Sequence, residues 1–213
     1  MGDSLMGGTT ATLERVLKAH GFDAVVYDGH VNASGLLDPM NGFSAREYFE
    51  LQLNAHPDVD TVVFEWLGVC VTCSPDSLRY GSPDFYVAWM MTVADLVDDA
   101  RRHGVTVVWA VPPPPPPDVT GSTLAEDWSN QAMRVAVATQ LAADVRNLPA
   151  ALGIPITDWW QALSDTNGQW QYDLWYDGAL HSMRLPDRVH LSDEGSIRAS
   201  TWTAATLAQF FNH

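Results

Sequence analysis

Two short segments at opposite ends of the chain carry residue types that could work together as a nucleophile and its base. The first is Gly2-Asp3-Ser4-Leu5, directly before a stretch of helical periodicity. A serine at a helix N-terminus lies beside unpaired backbone N–H groups and the positive end of the helix dipole. The oxyanion of an acyl-transfer reaction is stabilised by such donors, and Gly2 permits the tight turn that this placement requires. The plainer reading makes Ser4 an N-cap. The second segment is Arg184-Leu185-Pro186-Asp187-Arg188-Val189-His190-Leu191-Ser192. An Asp three residues before a His can accept from its Nδ1–H and leave Nε2 to take a serine proton. In a chain with 7 His, about 0.7 pairs of this spacing arise by chance, so the pair gains weight only from its partner segment. His20, His30, His56, His103, His181 and His213 lack an Asp at that spacing and read mostly as helix-end or loop residues.

Other chemistries find little support. The chain has no P-loop, no G-x-G-x-x-G after a strand and no H-E-x-x-H. Cys70 and Cys73 form a lone C-x-x-C, too few ligands for a structural zinc, which leaves a small loop disulfide or two free thiols. Neither a metal nor an organic cofactor is expected.

The elements that must position Ser4, Asp187 and His190 alternate between helix and strand. Leu13, Val16, Leu17 and His20 recur at helical spacing and stop at Gly21. Ala24 to Tyr27 reads as a short buried strand, Ser44 to Leu53 as a helix, and Thr61 to Leu67 as a strand rich in β-branched and aromatic residues. Phe85 to Arg102 is a helix closed by Gly104, Val105 to Val111 a buried strand, Ser129 to Leu148 a helix and Ile154 to Asp158 a short strand. Ser192 caps a last helix with Asp193 and Glu194 in its first turn. The run Pro112 to Pro117 is expected to form an exposed, extended loop. This alternation predicts an α/β fold with a parallel sheet covered on both faces. Sites in such sheets lie beyond the carboxyl ends of the strands, where each candidate residue falls.

Gly-Asp-Ser-Leu at the start, Asn32-Ala33-Ser34-Gly35 after the second strand, Gly68 after the third and Asp187-x-x-His190 before the last helix together resemble the SGNH, or GDSL, hydrolase family of serine esterases and lipases. Arg184 to Gly195 is similar to the form of this block in actinobacterial and acyltransferase-associated members. The resemblance implies a flavodoxin-like three-layer α/β/α sandwich in one domain over residues 1–213. It implies Ser4 as nucleophile, Asp187 and His190 as acid and base, and an oxyanion hole at Ser4, Gly35 and Gly68. Val69 stands where the family usually has an asparagine donor. The family's Gly-Asp-Ser follows a central strand, and only Met1 precedes Gly2. The first strand is therefore expected to be truncated, with secretion or the cell envelope implied if a signal lay upstream.

The implied function is hydrolysis of acyl or acetyl esters on carbohydrates, lipids or cell-envelope glycans. The alternatives are O-acyl transfer to a glycan by the same three residues, or a non-catalytic glycan-binding descendant. Trp159, Trp160, Trp170 and Trp175 would either pack an insertion onto the core or form a sugar-stacking wall. A net charge of −15, with Lys18 as the single lysine, argues against nucleic acid or an anionic membrane surface as partner. No apolar run reaches the length of a membrane span. A small-molecule or glycan ester is the expected partner.

Overall fold

Val107, Trp109 and Val111 point to one side of their strand and Val108 and Ala110 to the other, and all five are buried. A strand apolar on both faces belongs at the centre of a parallel sheet. In the computed structural model, which describes residues 1–32, 34–67, 79–117 and 131–211, it has that place. In chain order the elements are α1 (Ser4–Ala19), α2 (Ala45–Ala55), β1 (Thr61–Phe64), α3 (Pro83–Arg102), β2 (Thr106–Val111), α4 (Gln131–Arg146), α5 (Leu148–Leu152), β3 (Ile156–Asp158), α6 (Trp159–Ala162), β4 (Asp173–Tyr176), β5 (Ala179–Ser182) and α7 (Asp193–Phe211). β2 lies between β1 and β3, parallel to both, with Phe64 opposite Trp109 and Trp109 opposite Ile156.

Helices cover both faces of this sheet. Phe49 of α2, Trp89, Val93 and Leu96 of α3 and Leu141 of α4 pack against Val62, Phe64, Trp109 and Val111. On the opposite face α1 and α7 lie together, with Leu13, Val16 and Leu17 of α1 and Ala204 and Leu207 of α7 around Val108. The result is the three-layer α/β/α arrangement. No helix among the described residues is long and apolar enough to cross a membrane.

Several expectations are corrected. Ala24 to Tyr27 is not a strand: Val25 and Tyr27 are exposed, and the Val26 N–H donates to the Glu14 side chain instead of a neighbouring strand. A cavity of about 510 Å³ separates this segment from β1, walled by residues such as Leu13, Val26, Leu53 and Val62. Residues 112–116 are buried and only Pro117 is exposed, and the Pro114 carbonyl accepts from the buried Arg184 side chain. The antiparallel hairpin β4–β5 was not expected. Its turn is Asp177-Gly178, with both residues at positive φ, as a two-residue hairpin loop requires. Ser129, Cys70 and Cys73 lie outside the described residues.

Candidate active site

Residue 2 sits where the chain presses against the end of β1. Gly2 pairs laterally with His30 on one side and Glu65 on the other. A Cβ at Gly2 would lie 2.2 Å from the Glu65 carbonyl oxygen, so glycine is needed here for close approach, not for the turn the sequence suggested. Asp3, not Ser4, is the N-cap of α1. Its carboxylate accepts from the N–H of Leu5 at 2.8 Å and from that of Leu67 at 3.1 Å, tying the helix start to the segment after β1. Ser4 thus becomes the first helical residue, and its own N–H has no intrahelical acceptor.

The partner residues come from a tight loop between β5 and α7. Arg184 pairs with Leu191 across it, and the Leu185 N–H donates to the His190 carbonyl at 2.8 Å. Arg188 occupies the left-handed region at φ 67. Ser192 then caps α7 by accepting from the Gly195 N–H at 3.0 Å. Below the loop, the buried Arg184 donates to the carbonyls of Val189 at 2.7 Å and Pro114 at 3.1 Å. Asp187 is fixed from two sides. One carboxylate oxygen accepts from the N–H groups of Val189 and His190, both at 2.9 Å, and the other meets His190 Nδ1 at 2.7 Å.

His190 Nε2 lies 2.8 Å from Ser4 Oγ, 186 positions away in sequence. Ser4, His190 and Asp187 therefore form one continuous hydrogen-bonded chain. Partial burial pushes the Asp187 carboxyl up, but the His190 bond and the two N–H donors outweigh it, and the group lies below its ordinary range. Such a carboxylate stays ionised and selects the tautomer in which Nε2 faces the serine as an acceptor.

The remaining predicted positions divide. The Gly35 N–H donates to Asp38 Oδ2 at 2.7 Å, so this proposed oxyanion donor is already engaged. Gly68 and Val69 lie outside the described residues. Trp159 is buried, with its Nε1–H on Thr203 Oγ1 at 3.0 Å, and Trp160 donates to the Gly168 carbonyl at 2.9 Å. Trp170 lies under the Arg188 guanidinium, and Trp175 is 71% exposed on the hairpin. His30 does have an acidic partner, Asp28, whose Oδ1 lies 2.7 Å from Nδ1, two residues away instead of three. Among the described residues, no group of His, Cys, Asp and Glu is arranged to hold a metal ion.

Sequence reasoning passed over three residues at this site. Asp3 was visible as an acid just before a helix. Glu65 was visible as a lone charge within a buried apolar strand. Asp38 carried no comparable signal.

Residues 1–204 match the model of the family described as Protein of unknown function (DUF459). The chain belongs to the DUF459 family. No match to this DUF459 chain was found among curated proteins. Solved structures share its fold. A G-D-S-L family protein from Desulfitobacterium hafniense superimposes with a TM-score of 0.64 at 13% identity, over 97% of this chain and 96% of that one. A GDSL-like lipase from Bacteroides thetaiotaomicron gives 0.55 at 14% identity, over 100% of this chain and 85% of that one. An acetyl xylan esterase gives 0.56 at 14% identity, over 98% and 96%. The DUF459 chain thus has the fold of SGNH/GDSL hydrolases.

Proposed function

We propose that this DUF459 protein is a serine hydrolase that cleaves esters, with Ser4 as nucleophile, His190 as general base and Asp187 as its orienting carboxylate. The observation that carries this reading is the unbroken chain from Ser4 Oγ to His190 Nε2 at 2.8 Å and from His190 Nδ1 to Asp187 at 2.7 Å. These groups stand beyond the carboxyl ends of the parallel strands, on a fold shared with a lipase and an acetyl xylan esterase.

As Ser4 Oγ attacks the acyl carbonyl, its proton moves to His190 Nε2, and Asp187 stabilises the imidazolium. The imidazolium then protonates the departing alkoxide, leaving an acyl group on Ser4. Water activated by the same imidazole releases that group as the acid. The Ser4 N–H supplies one oxyanion donor. The Gly35 N–H supplies a second when the Asp38 carboxylate gives it up. We assign the substrate to small-molecule or glycan esters, and read the protein as a single domain.

The test is covalent labelling with a serine-directed fluorophosphonate. The wild-type protein is expected to label once, and Ser4→Ala not at all. Labelling that survives Ser4→Ala would overturn the assignment of the nucleophile, and absence of wild-type labelling at pH 8 would overturn the hydrolase reading. Assays on acetylated glycans, with and without an added sugar acceptor, separate hydrolysis from transfer.

A further inference from the structure

Glu65 is fully buried, and it lies directly beneath the start of α1. Neither of its carboxyl oxygens meets a donor among the described residues, and the group beside it is another acceptor, the Asp3 carboxylate. The charged and titratable groups that bear on it are few. The N-terminal segment presents Asp3 and the Met1 amino group, and the loop before α7 presents Arg184. Asp187 acts on the same Arg184, and His190 on the same Asp3.

None of these supplies a counter-ion in contact. The Met1 amino group donates to the Val63 carbonyl at 2.7 Å, and burial pushes it down to about 5, so it is neutral at pH 7. Arg184 directs its two hydrogen-bonded nitrogens at the carbonyls of Val189 and Pro114, not at Glu65. The charged group that bears on it most strongly is the Asp3 carboxylate, which is itself buried. An unpaired ionised carboxylate in such a place is expelled or takes up a proton. Two carboxylates facing one another cannot both stay ionised, and they resolve the conflict by holding one proton between them.

Burial raises the Asp3 carboxyl too, but less than it raises Glu65, and Asp3 is the member better able to keep its charge. Both its oxygens accept backbone N–H bonds, from Leu5 and from Leu67, and N–H donors favour the ionised form. That leaves Glu65 as the proton carrier. We infer that Glu65 is a positioning residue that works as a neutral acid, its O–H turned onto the Asp3 carboxylate to lock the α1 start and so the Ser4 nucleophile. Burial and Asp3 both hold the Glu65 carboxyl well above its ordinary range, in keeping with this role. Ionising it would set a second negative charge against Asp3 and loosen the cap on which Ser4 stands. This role rests on the proposed part of Ser4 as nucleophile, but the protonation of Glu65 can be tested without it.

The test compares wild type, Glu65→Gln and Glu65→Leu. Glutamine keeps the shape and a permanent donor to Asp3, and leucine removes the donor. In the infrared, wild type minus Glu65→Gln at pH 7 is expected to show the carbonyl stretch of one protonated carboxylic acid. If the Gln variant does not fold, the same band is sought in wild type by its loss as the pH is raised. A raised folded-state pKa stabilises the fold fully below the ordinary value of 4.5 and loses that contribution as pH climbs through the raised value. Wild type should therefore fall in Tm relative to Glu65→Gln as the solution turns alkaline. Fluorophosphonate labelling should hold within about threefold in Glu65→Gln, extend to higher pH, and drop about tenfold or more in Glu65→Leu, the loss of one charge-assisted hydrogen bond. No acid band, or a Gln variant as impaired as the Leu variant, overturns the inference. Wild type that shows the band but never labels sinks the hydrolase reading and leaves a protonated Glu65 standing.

Discussion

Ser4 Oγ and His190 Nε2 meet at 2.8 Å although 186 positions separate them in the chain. Two unrelated pieces of local structure produce that meeting. The Asp3 cap fixes where α1 begins, and the loop closed by Arg184 and Leu191 fixes where His190 points. The two supports are joined physically, because α1 and α7 pack side by side on the same face of the sheet.

Residues that act as a unit lose their effect together, so the losses from removing them should not add. Ser4→Ala and His190→Ala are each expected to lower kcat on a p-nitrophenyl ester by about 10⁴-fold or more, and the double variant should be no worse than the weaker single. Steady-state kinetics on the three proteins measure this. Additive losses would mean that the two side chains serve separate steps.

The fold was legible wherever local pattern and tertiary partner agree. The apolar runs at Thr61 to Phe64 and Thr106 to Val111 are strands because each finds a parallel neighbour. Ala24 to Tyr27 has similar composition but no ladder beside it, and its Val26 N–H turns to Glu14. Propensity for a strand is only realised against a partner. Pro112 to Pro116 looked exposed because proline cannot join a ladder, yet nothing local announces that Arg184 reaches across to Pro114. The Asp177-Gly178 hairpin was readable from its turn residues alone. At the site, the spacing of Asp187 and His190 was enough to propose their bond. The engagement of Gly35 by Asp38 depends on a loop conformation that spacing does not encode.

The Asp187 carboxyl lies below its ordinary range when folded, so its bonds stabilise the fold while it is ionised. That contribution is fully present above the unfolded value of 3.8 and is lost as pH falls through the lower folded value. Wild type should be more stable than Asp187→Asn at neutral pH, and the gap should close below about pH 4. Urea midpoints between pH 3 and 7 measure it. A gap that widens in acid would reverse the sign of the argument.

Gly2→Ala tests the close approach at the start of α1. The added Cβ would stand 2.2 Å from the Glu65 carbonyl oxygen. Neither backbone can retreat freely, since Glu65 N–H donates to the Met1 carbonyl at 3.0 Å and Val31 N–H to the Gly2 carbonyl at 2.9 Å. The substitution is expected to cost about 1–3 kcal/mol, the usual range for overpacking. Any shift is passed straight to Ser4, and fluorophosphonate labelling should slow by roughly 10- to 100-fold, as small misplacements of a nucleophile do. A variant with wild-type Tm and labelling rate would show that the contact yields at no cost.

Asp99 offers a stability test remote from the chemistry. Its carboxylate is buried on α3, and Arg46 of α2 grips it with Nε at 2.7 Å and Nη2 at 2.8 Å, while Arg102 also contacts it. Two parallel bonds to a carboxylate held out of water are worth more than an exposed ion pair. Arg46→Ala leaves Asp99 with Arg102 and should lower stability by about 2 kcal/mol. Arg46→Lys should recover less than half of that, because an ammonium cannot supply the paired geometry. Asp99→Asn in the Arg46→Ala background should restore part of the loss by removing the under-compensated buried charge. Urea denaturation of the four proteins decides the matter. A loss below about 0.5 kcal/mol in Arg46→Ala would place this pair with ordinary surface salt bridges and remove it as the clamp between α2 and α3.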